Sequence, residues 1–368
     1  MFQGEKLLRQ RVEANRTILV DGPASVQAVS GSAEIFGCTL KPSQRVVVRE
    51  GKRLPFFAVE KAEFDISLGL NATIKETTGS TIPDSWSKPI ESILAVQKKI
   101  VVVLIVGKND SGKSSYCTYL VNKLLDGKCR VAVLDGDLGQ SDIGSSGTLS
   151  YAIASKPIAE LYDLKLENAF FVGVTSPMMA IVQTIEGLAA LKTEILRRPI
   201  DFMLVNTDGW VEGEIAVRYK TALVKELKPD VIVGIQAANE LDELIANIDQ
   251  TVLAVKLSPS LSQRTAEKRR NLREMTYARY LKKAKLQNYP ISQVVIEPAK
   301  ALPKDQKPDK GLLVGLYGSN SKFLGIGILR EINQLRQALK VQTAVSAKPQ
   351  RIVIGKVCLD EKLREIQD

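Results

Sequence analysis

The sequence predicts an α/β core with a mostly parallel sheet, flanked by small N-terminal and C-terminal β domains. Three observations carry this. From Ile100 onward, short apolar runs alternate with helical periods, the pattern of a parallel sheet covered on both faces. Residues before about 85 and after about 290 instead read as short β runs split by Gly, Pro and Ser. Between these regions GKNDSGKS, Gly107 to Ser114, joins a buried-strand pattern to a helix pattern.

Taken in order, SVQAVSG, SAEIFGCTL, RVVVRE and LPFFAVE predict a small β-sandwich-like domain over residues 1–85. No helical period is sustained there beyond the first dozen residues. STIPDSWSKPIESILAVQKK, residues 80–99, is turn-rich and then briefly helical, a linker that docks on the next domain. The core domain spans 86–290. Its strands are expected at IVVVLIV (100–106), RVAVLDGD (130–137), 202–206, 230–235 and 251–257. Helices are expected after Gly112 and at about 179–198, 213–227 and 239–248. The first places Cys117, Leu120, Val121, Leu124 and Leu125 on one face, and Gly127 stands where a helix end favours a left-handed residue. QVVIEP, GLLVGLYG, FLGIGILREI and QRIVIGKV predict a C-terminal β domain over 291–368. The Lys-Pro-rich stretch 298–311 is expected to be an exposed loop.

Composition narrows the chemistry. A chain of 368 residues suffices for two or three domains. Its longest apolar run is far too short for a membrane span, and MFQGEKLLRQR is no secretory signal. The expected place is the cytoplasm, or the nucleus in a eukaryotic source, with no membrane partner. Four scattered cysteines without a CxxC pair argue against disulfides and zinc. The chain has no histidine, so acid–base work must fall to carboxylates or lysines. The net charge of +10 is uneven: Arg264 to Lys285 holds nine Lys/Arg against two Glu. That block reads either as a solvated helix face or as an arm facing phosphate or RNA.

GKNDSGKS fits GxxxxGK[ST], which makes the predicted fold an α/β P-loop NTPase core. Gly107, Asn109, Asp110, Ser111, Gly112, Lys113, Ser114 and Ser115 form the expected nucleotide cradle, with backbone N–H groups facing phosphates. Lys113 should reach the β- and γ-phosphates, and the Ser114 hydroxyl should bind Mg²⁺. In LDGDLGQ, Asp135 and Asp137 lie at a strand's C-terminal end, where ligands bind in such sheets. One carboxylate can hold Mg²⁺ or its water, and the other can take a proton from an attacking hydroxyl. Gln140 can orient either. No guanine-reading NKxD segment is present, and neither are the repeated modules of motors and transporters, which favours a kinase. In NTDGWVEG, Trp210 reads as core or as a stacking platform for a base, and Gly209 permits close approach of backbone to ligand. Arg264 and Arg269 suit a lid over a transferring phosphoryl group, within a region near 260–285.

In this order and spacing, the motifs resemble the Clp–Grc family of polynucleotide 5′-hydroxyl kinases. SGSAEIFGCTL resembles its β-domain signature, GKNDSGKS its Walker A loop and DGDLGQ its DxDxGQ motif. FVGVTSP (171–177) resembles a further family segment, NTDGW the TxGW clasp and QRTAEKRR the arginine lid. The resemblance covers nearly the whole chain and is to a compact, archaeal-like member. It implies ATP and Mg²⁺ as cofactors and 5′-hydroxyl ends of RNA, or of DNA, as acceptor; it names no protein partner. It implies Asp137 as general base, Lys113 on the γ-phosphate and Ser114 on the metal. It also implies Gln140 positioning metal or acceptor, Thr207, Gly209 and Trp210 clamping the acceptor, and Arg264 and Arg269 closing on the phosphoryl group. Adenine would lie near the N-terminal domain, with Lys52 a candidate contact; Thr175 and Ser176 would line the acceptor groove. Lys108 stands where many relatives have Pro, and Ser115 where many have Thr. Two other classes are consistent with the motifs: an ATP-bound scaffold subunit without turnover, and a P-loop NTPase or small-molecule kinase.

Overall fold

The computed structural model describes residues 6–298 and 310–366. Its centre is a seven-stranded sheet. Strand β1 (Val101–Gly107) runs through helix α1 (Lys113–Asp126) to β2 (Val131–Gly136), β3 (Thr148–Ala154) and β4 (Leu166–Phe171). Helix α2 (Ile181–Ile195), β5 (Phe202–Thr207), α3 (Glu214–Leu227), β6 (Val231–Ile235) and β7 (Val252–Val255) follow. The spatial order is β4-β3-β2-β5-β1-β6-β7. The β2-β5, β5-β1, β1-β6 and β6-β7 pairs are parallel, whereas β3 and β4 add an antiparallel edge. Every residue of β1, β2, β5 and β6 is buried, because helices or other sheets cover both faces.

The α/β P-loop core with flanking β units is the fold class the sequence predicts. The opening dozen residues contribute a strand, Lys6–Val12, paired antiparallel with Ala62–Leu68. Four-stranded and five-stranded sheets share a core at this end of the chain, and Phe56 meets Phe64 edge-on at 6.0 Å. Six strands form the C-terminal sheet, beginning with Lys285–Pro290 and including Ala338–Thr343, neither of which stands out in the sequence. The expected 239–248 helix is one turn, Asp242–Ile245. The basic block forms helix α4 (Ala266–Leu281), whose Thr265 hydroxyl caps the Lys268 N–H at 3.2 Å. The predicted 298–311 loop lies almost wholly outside the described residues.

Helix α1 is buried more widely than one amphipathic face requires. Tyr116, Cys117, Tyr119, Leu120, Val121, Asn122 and Leu124 are all buried, while Leu125 is only partly so. The cause is a second layer, since the N-terminal unit packs on the side of α1 away from the sheet. Trp86 from the linker fills this seam, fully buried, against Phe36, Tyr116 and Tyr119, and its indole N–H donates to the Lys256 carbonyl at 2.8 Å. Asn122 donates to the Phe36 and Ile158 carbonyls, both at 2.9 Å, and accepts from the Ile158 N–H. The left-handed residue after α1 is Lys128 (φ +59°) rather than Gly127 (φ −73°), because the turn closes one residue later than the glycine suggests.

Replacing Trp86 by Ala leaves a cavity between the N-terminal unit and α1 and should cost about 3–5 kcal/mol of unfolding free energy. Urea unfolding followed by circular dichroism measures it; a loss below about 1 kcal/mol would contradict this seam.

Candidate functional site

The candidate site opens where β1 turns into α1. Gly112 holds φ +94° and Asp110 φ +58°, and the turn brings the loop back over its own start. The Lys113 amine donates to the carbonyls of Gly107 (2.8 Å) and Lys108 (2.7 Å). Only 7% of Lys113 is exposed, and this burial lowers its pKa from 10.5 to about 8. The Ser114 hydroxyl has one long contact, from Asn206 Nδ2 at 3.4 Å. The Ser111 hydroxyl is buried without a partner among the described residues. Asn109, Asp110, Gly112, Lys113, Ser114 and Ser115 line a cavity of about 610 Å³, which continues over Phe36, Pro55 and Leu70 of the N-terminal unit.

The two predicted carboxylates differ in environment. Asp137 lines the cavity. One of its oxygens, Oδ1, accepts from the N–H groups of Gly139 (3.0 Å) and Gln140 (2.8 Å); Oδ2 has no hydrogen-bond donor among the described residues. Burial raises its pKa, Asp208 adds to the rise, and Lys113 opposes it. Asp135 departs from the expectation of a metal ligand. It is wholly buried, and Oδ2 accepts from the Ser141 hydroxyl (3.1 Å) and the N–H groups of Asp142 (2.8 Å) and Ile143 (3.3 Å). Its Oδ1 accepts from Asn206 Nδ2 at 3.1 Å. Both oxygens are thus engaged, Oδ2 in anchoring the loop after β2 and Oδ1 with Asn206 of β5. Burial, then Asp142 and Asp137, push its pKa up to about 7.

The segment expected to be a lid, Arg264 and helix α4, lies on the P-loop. Asp110 Oδ2 accepts from the Arg264 backbone N–H (3.0 Å) and from Arg269 Nη2 (2.8 Å), while Oδ1 accepts from Arg264 Nη1 (3.4 Å). Gln140 Nε2 donates to the Arg269 carbonyl at 3.1 Å, which ties the loop after β2 to the same helix. Arg264, Arg269 and Gln140 all line the cavity. Lys52 lines it too, but its amine is held by both carboxylate oxygens of Asp142 (2.8 and 3.1 Å). Asp142 also receives Arg49 at 2.7 Å. These two cations outweigh burial and hold Asp142 well below the usual carboxylate range.

The NTDGW segment differs from expectation at two residues. Thr207 is 1% exposed and its hydroxyl donates to the Ile105 carbonyl at 2.8 Å, so it joins β5 to β1 and does not face an acceptor. Gly209 makes its close approach to the P-loop rather than to a ligand: a Cβ there would sit 2.1 Å from Asn109 Oδ1 and 2.5 Å from Asn109 N. Trp210 is half-buried and stacks on Tyr219 (centroids 5.7 Å apart, planes at 25°). It does not line the cavity shared by Lys113 and the lid. Beneath it Asp208 accepts from the Trp210 N–H (2.9 Å), the Tyr219 hydroxyl (2.8 Å) and the fully buried Lys220 amine (2.8 Å). Thr175 and Ser176 are half-buried, and the Thr175 carbonyl packs against Gly139, 2.8 Å from where a Cβ would stand.

Sequence reasoning missed Asn206, Asp142, Arg49, Asp208 and Lys220. Asn206 carried a signal, since it lies near the C-terminal end of β5. The others become visible only through contacts between distant segments.

Gly209→Ala forces the P-loop to shift, and overpacking of this kind costs about 1–3 kcal/mol. Triphosphate affinity should fall about tenfold or more, measured by calorimetric titration; unchanged affinity would show that the loop does not depend on this contact. The Lys113 shift gives a second expectation. The folded chain holds this amine less protonated than the unfolded chain does, so its contribution favours folding increasingly as pH rises from about 8 toward 10.5. Phosphates beside Lys113 should draw its proton back. Binding at pH 8–9 should therefore take up protons, seen as a heat that depends on buffer ionisation enthalpy, and no such dependence would contradict the shift.

Residues 107–283 match the family described as mRNA cleavage and polyadenylation factor CLP1 P-loop. The chain is 32% identical over 217 residues to a polyribonucleotide 5′-hydroxyl-kinase of Thermococcus kodakarensis, covering 58% of this chain and 61% of that one. It is 27% identical over 215 residues to the protein of that name from Pyrococcus furiosus, covering 58% and 60%. The match thus spans about three-fifths of the length of these two relatives. With that of Methanocaldococcus jannaschii, 25% identity extends over 342 residues, 77% of this chain and 94% of the relative. The solved structure of wild-type Clp1p, in complex with Pcf11p, superposes with a TM-score of 0.78 over 96% of this chain and 98% of that one. At 14% identity this likeness speaks for the fold. With the P-loop, the loop after β2, the NTDGW segment and the arginine-bearing segment in this order on this fold, the chain is similar to the Clp–Grc family, whose P-loop region matches just under half of it.

Proposed function

We propose that the chain is an ATP-dependent polynucleotide 5′-hydroxyl kinase that transfers the γ-phosphate of ATP to the 5′-OH end of RNA, and of DNA of like chemistry, in RNA processing. The observation that carries this reading is one cavity shared by Lys113, Ser114, Asp137, Arg264 and Arg269. A phosphoryl donor, a base and mobile cations are what in-line transfer requires. The names of the archaeal relatives agree with it. The same reading divides the chain at about residues 85 and 290, with the nucleoside toward the N-terminal unit and the lid near 260–285. Among the described residues no helix is long and apolar enough to cross a membrane, and the proposed place of action is the cytoplasm or nucleus.

In this mechanism Gly107 to Ser115 cradle the phosphates, and Lys113 leaves its two carbonyl partners for the γ-phosphate. The acceptor's 5′-hydroxyl attacks the γ-phosphorus, its proton passes to Asp137 Oδ2, and the bond to the β-phosphate oxygen breaks to release ADP. Asp137 suits the base because its Oδ1 is fixed by two N–H groups while Oδ2 stays open. Arg264 and Arg269 neutralise charge on the transferring group. Gln140 fixes the lid through the Arg269 carbonyl. Trp210, with one indole face covered by Tyr219, offers the other to an acceptor base. Thr207 and Gly209 serve the acceptor only indirectly, by setting the segment against β1 and the P-loop.

The residues present fit Mg²⁺. Among the described residues the Ser114 hydroxyl has one long contact, from Asn206 Nδ2, and is open to a metal beside the phosphates. No cluster of three or more His, Cys, Asp or Glu suited to a metal occurs among the described residues, in keeping with an ion that takes few protein ligands beside phosphates. Mg²⁺ would be held by Ser114 beside the phosphates and would supply charge neutralisation on the phosphate oxygens, leaving Asp137 Oδ2 to take the acceptor's proton.

Asp137→Asn should lower transfer of labelled phosphate to a 5′-hydroxyl RNA oligonucleotide by about 10²–10⁴-fold, with ATP affinity nearly unchanged. Strong residual transfer would remove Asp137 as base. In the wild type, activity should fall on the acid side at a pH above the ordinary carboxylate value of 3.8, because the Asp137 carboxyl is raised. A pH–rate profile flat through that region would contradict this.

A further inference from the structure

We propose that Glu365, in the turn that follows the C-terminal sheet, is a positioning residue for the lid and couples the C-terminal unit to phosphoryl transfer. This rests on the kinase reading. Helix α4 carries Arg269 in its first turn and Arg273 one turn further along the same face. The Arg273 guanidinium is held by Glu365 through two parallel bonds, Nε to Oε1 at 2.6 Å and Nη2 to Oε2 at 2.5 Å. The Tyr277 hydroxyl donates to the same Oε1 at 3.0 Å, and the Glu365 N–H donates to Glu274 Oε1 at 3.0 Å. Only 18% of the Arg273 side chain and 12% of that of Glu365 are exposed.

The turn that offers Glu365 is itself fixed. Asp360 Oδ1 accepts from the N–H groups of Lys362 (2.7 Å) and Arg364 (2.8 Å), Leu363 is left-handed at φ +63°, and the Ile366 N–H donates to the Cys358 carbonyl at 2.9 Å. Leu359 and Leu363 join Tyr277 and Leu281 of the lid helix in one apolar cluster. Hydrophobic contact is non-directional, so the turn of α4 about its axis is set by polar contacts. On the core side these are the Ser146 N–H to the Thr276 hydroxyl (3.0 Å) and the Tyr280 hydroxyl to the Ile143 carbonyl (2.6 Å). On the C-terminal side it is the bidentate Arg273–Glu365 pair, whose geometry is defined. Arg269 lies one turn from Arg273 on the same helix, so a small rotation at Arg273 changes where Arg269 points. Glu365 touches neither the cavity nor the P-loop, so its effect on transfer must pass through the helix.

The test compares wild type, Glu365→Ala and the milder Glu365→Gln in the full chain. Hydrogen exchange of residues 262–275 is measured in nucleotide-free protein, and kcat and KM for ATP are measured with a 5′-hydroxyl RNA oligonucleotide. The expected result is faster exchange in this segment and a kcat lowered about ten- to hundredfold, with KM for ATP nearly unchanged. Glu365→Gln, which keeps the shape and one acceptor oxygen, decides the matter if the Ala variant does not fold. A lowered melting temperature with unchanged lid exchange and unchanged kcat would overturn the proposal and leave Glu365 a stabilising contact only. If the wild type transfers no phosphate, the kinase reading fails, and lid exchange still decides whether Glu365 holds the helix.

Discussion

The organisation of this molecule depends on one carboxylate, Asp110, and what it faces. It sits at a left-handed position in the P-loop, and it points its oxygens at Arg264 and Arg269 across 154 and 159 residues of sequence. The side chains are partly buried, so the pairs are screened less than surface ion pairs. Their geometric effect exceeds their share of stability. They hold two cations at the cavity between the P-loop, helix α4 and the N-terminal unit. In the proposed reaction, entering phosphates would give the arginines a second set of anions within the same cavity.

That arrangement requires a rigid frame, and the frame is layered. β1 lies inside the sheet, with β5 and β6 on either side in parallel. Thr207 ties β5 to β1, and Gly209 brings the NTDGW segment against Asn109 with no room for a methyl group. Helix α1 is clamped between this sheet and the N-terminal unit, with Trp86 and Asn122 at the seam. The lid helix rests on the C-terminal sheet through Tyr277 and Leu281. Each unit of the chain therefore supports one wall of one cavity. Buried carboxylates among the described residues meet donors: Asp142 with Arg49 and Lys52, Asp208 with Lys220 and Tyr219, Asp135 with backbone N–H groups.

Much of this was legible in the sequence. The core strands were legible because fully covered strands are continuous Val/Ile/Leu runs, as in Val101 to Val106. The P-loop was legible because its glycines and lysine are dictated by local backbone geometry. β3 and β4 were missed because their antiparallel edge position and mixed composition, as in TLSYAIA and LENAFF, break the run pattern. The width of burial on α1 was hidden because it depends on a distant domain. At the site, residue types pointed to the right region, but the environments of Asp135 and Asp137 could not be separated from a DxD spacing alone. Burial and the donors of Ser141, Asp142 and Ile143 distinguish them. Thr207 and Gly209 looked like ligand contacts because strand ends usually are; here they are spent on packing.

In the proposed reaction this cavity couples ATP to a 5′-hydroxyl end. The most direct measurement is the rate of ADP formation with Mg²⁺ and three additions: no RNA, a 5′-hydroxyl RNA oligonucleotide, or the same oligonucleotide already bearing a 5′-phosphate. ADP should form in step with phosphorylated ends, one for one, with the 5′-hydroxyl RNA alone, and Lys113→Ala should abolish it. ADP formation indifferent to the chemistry of the RNA end, or ATP bound without turnover in all three, would contradict the account.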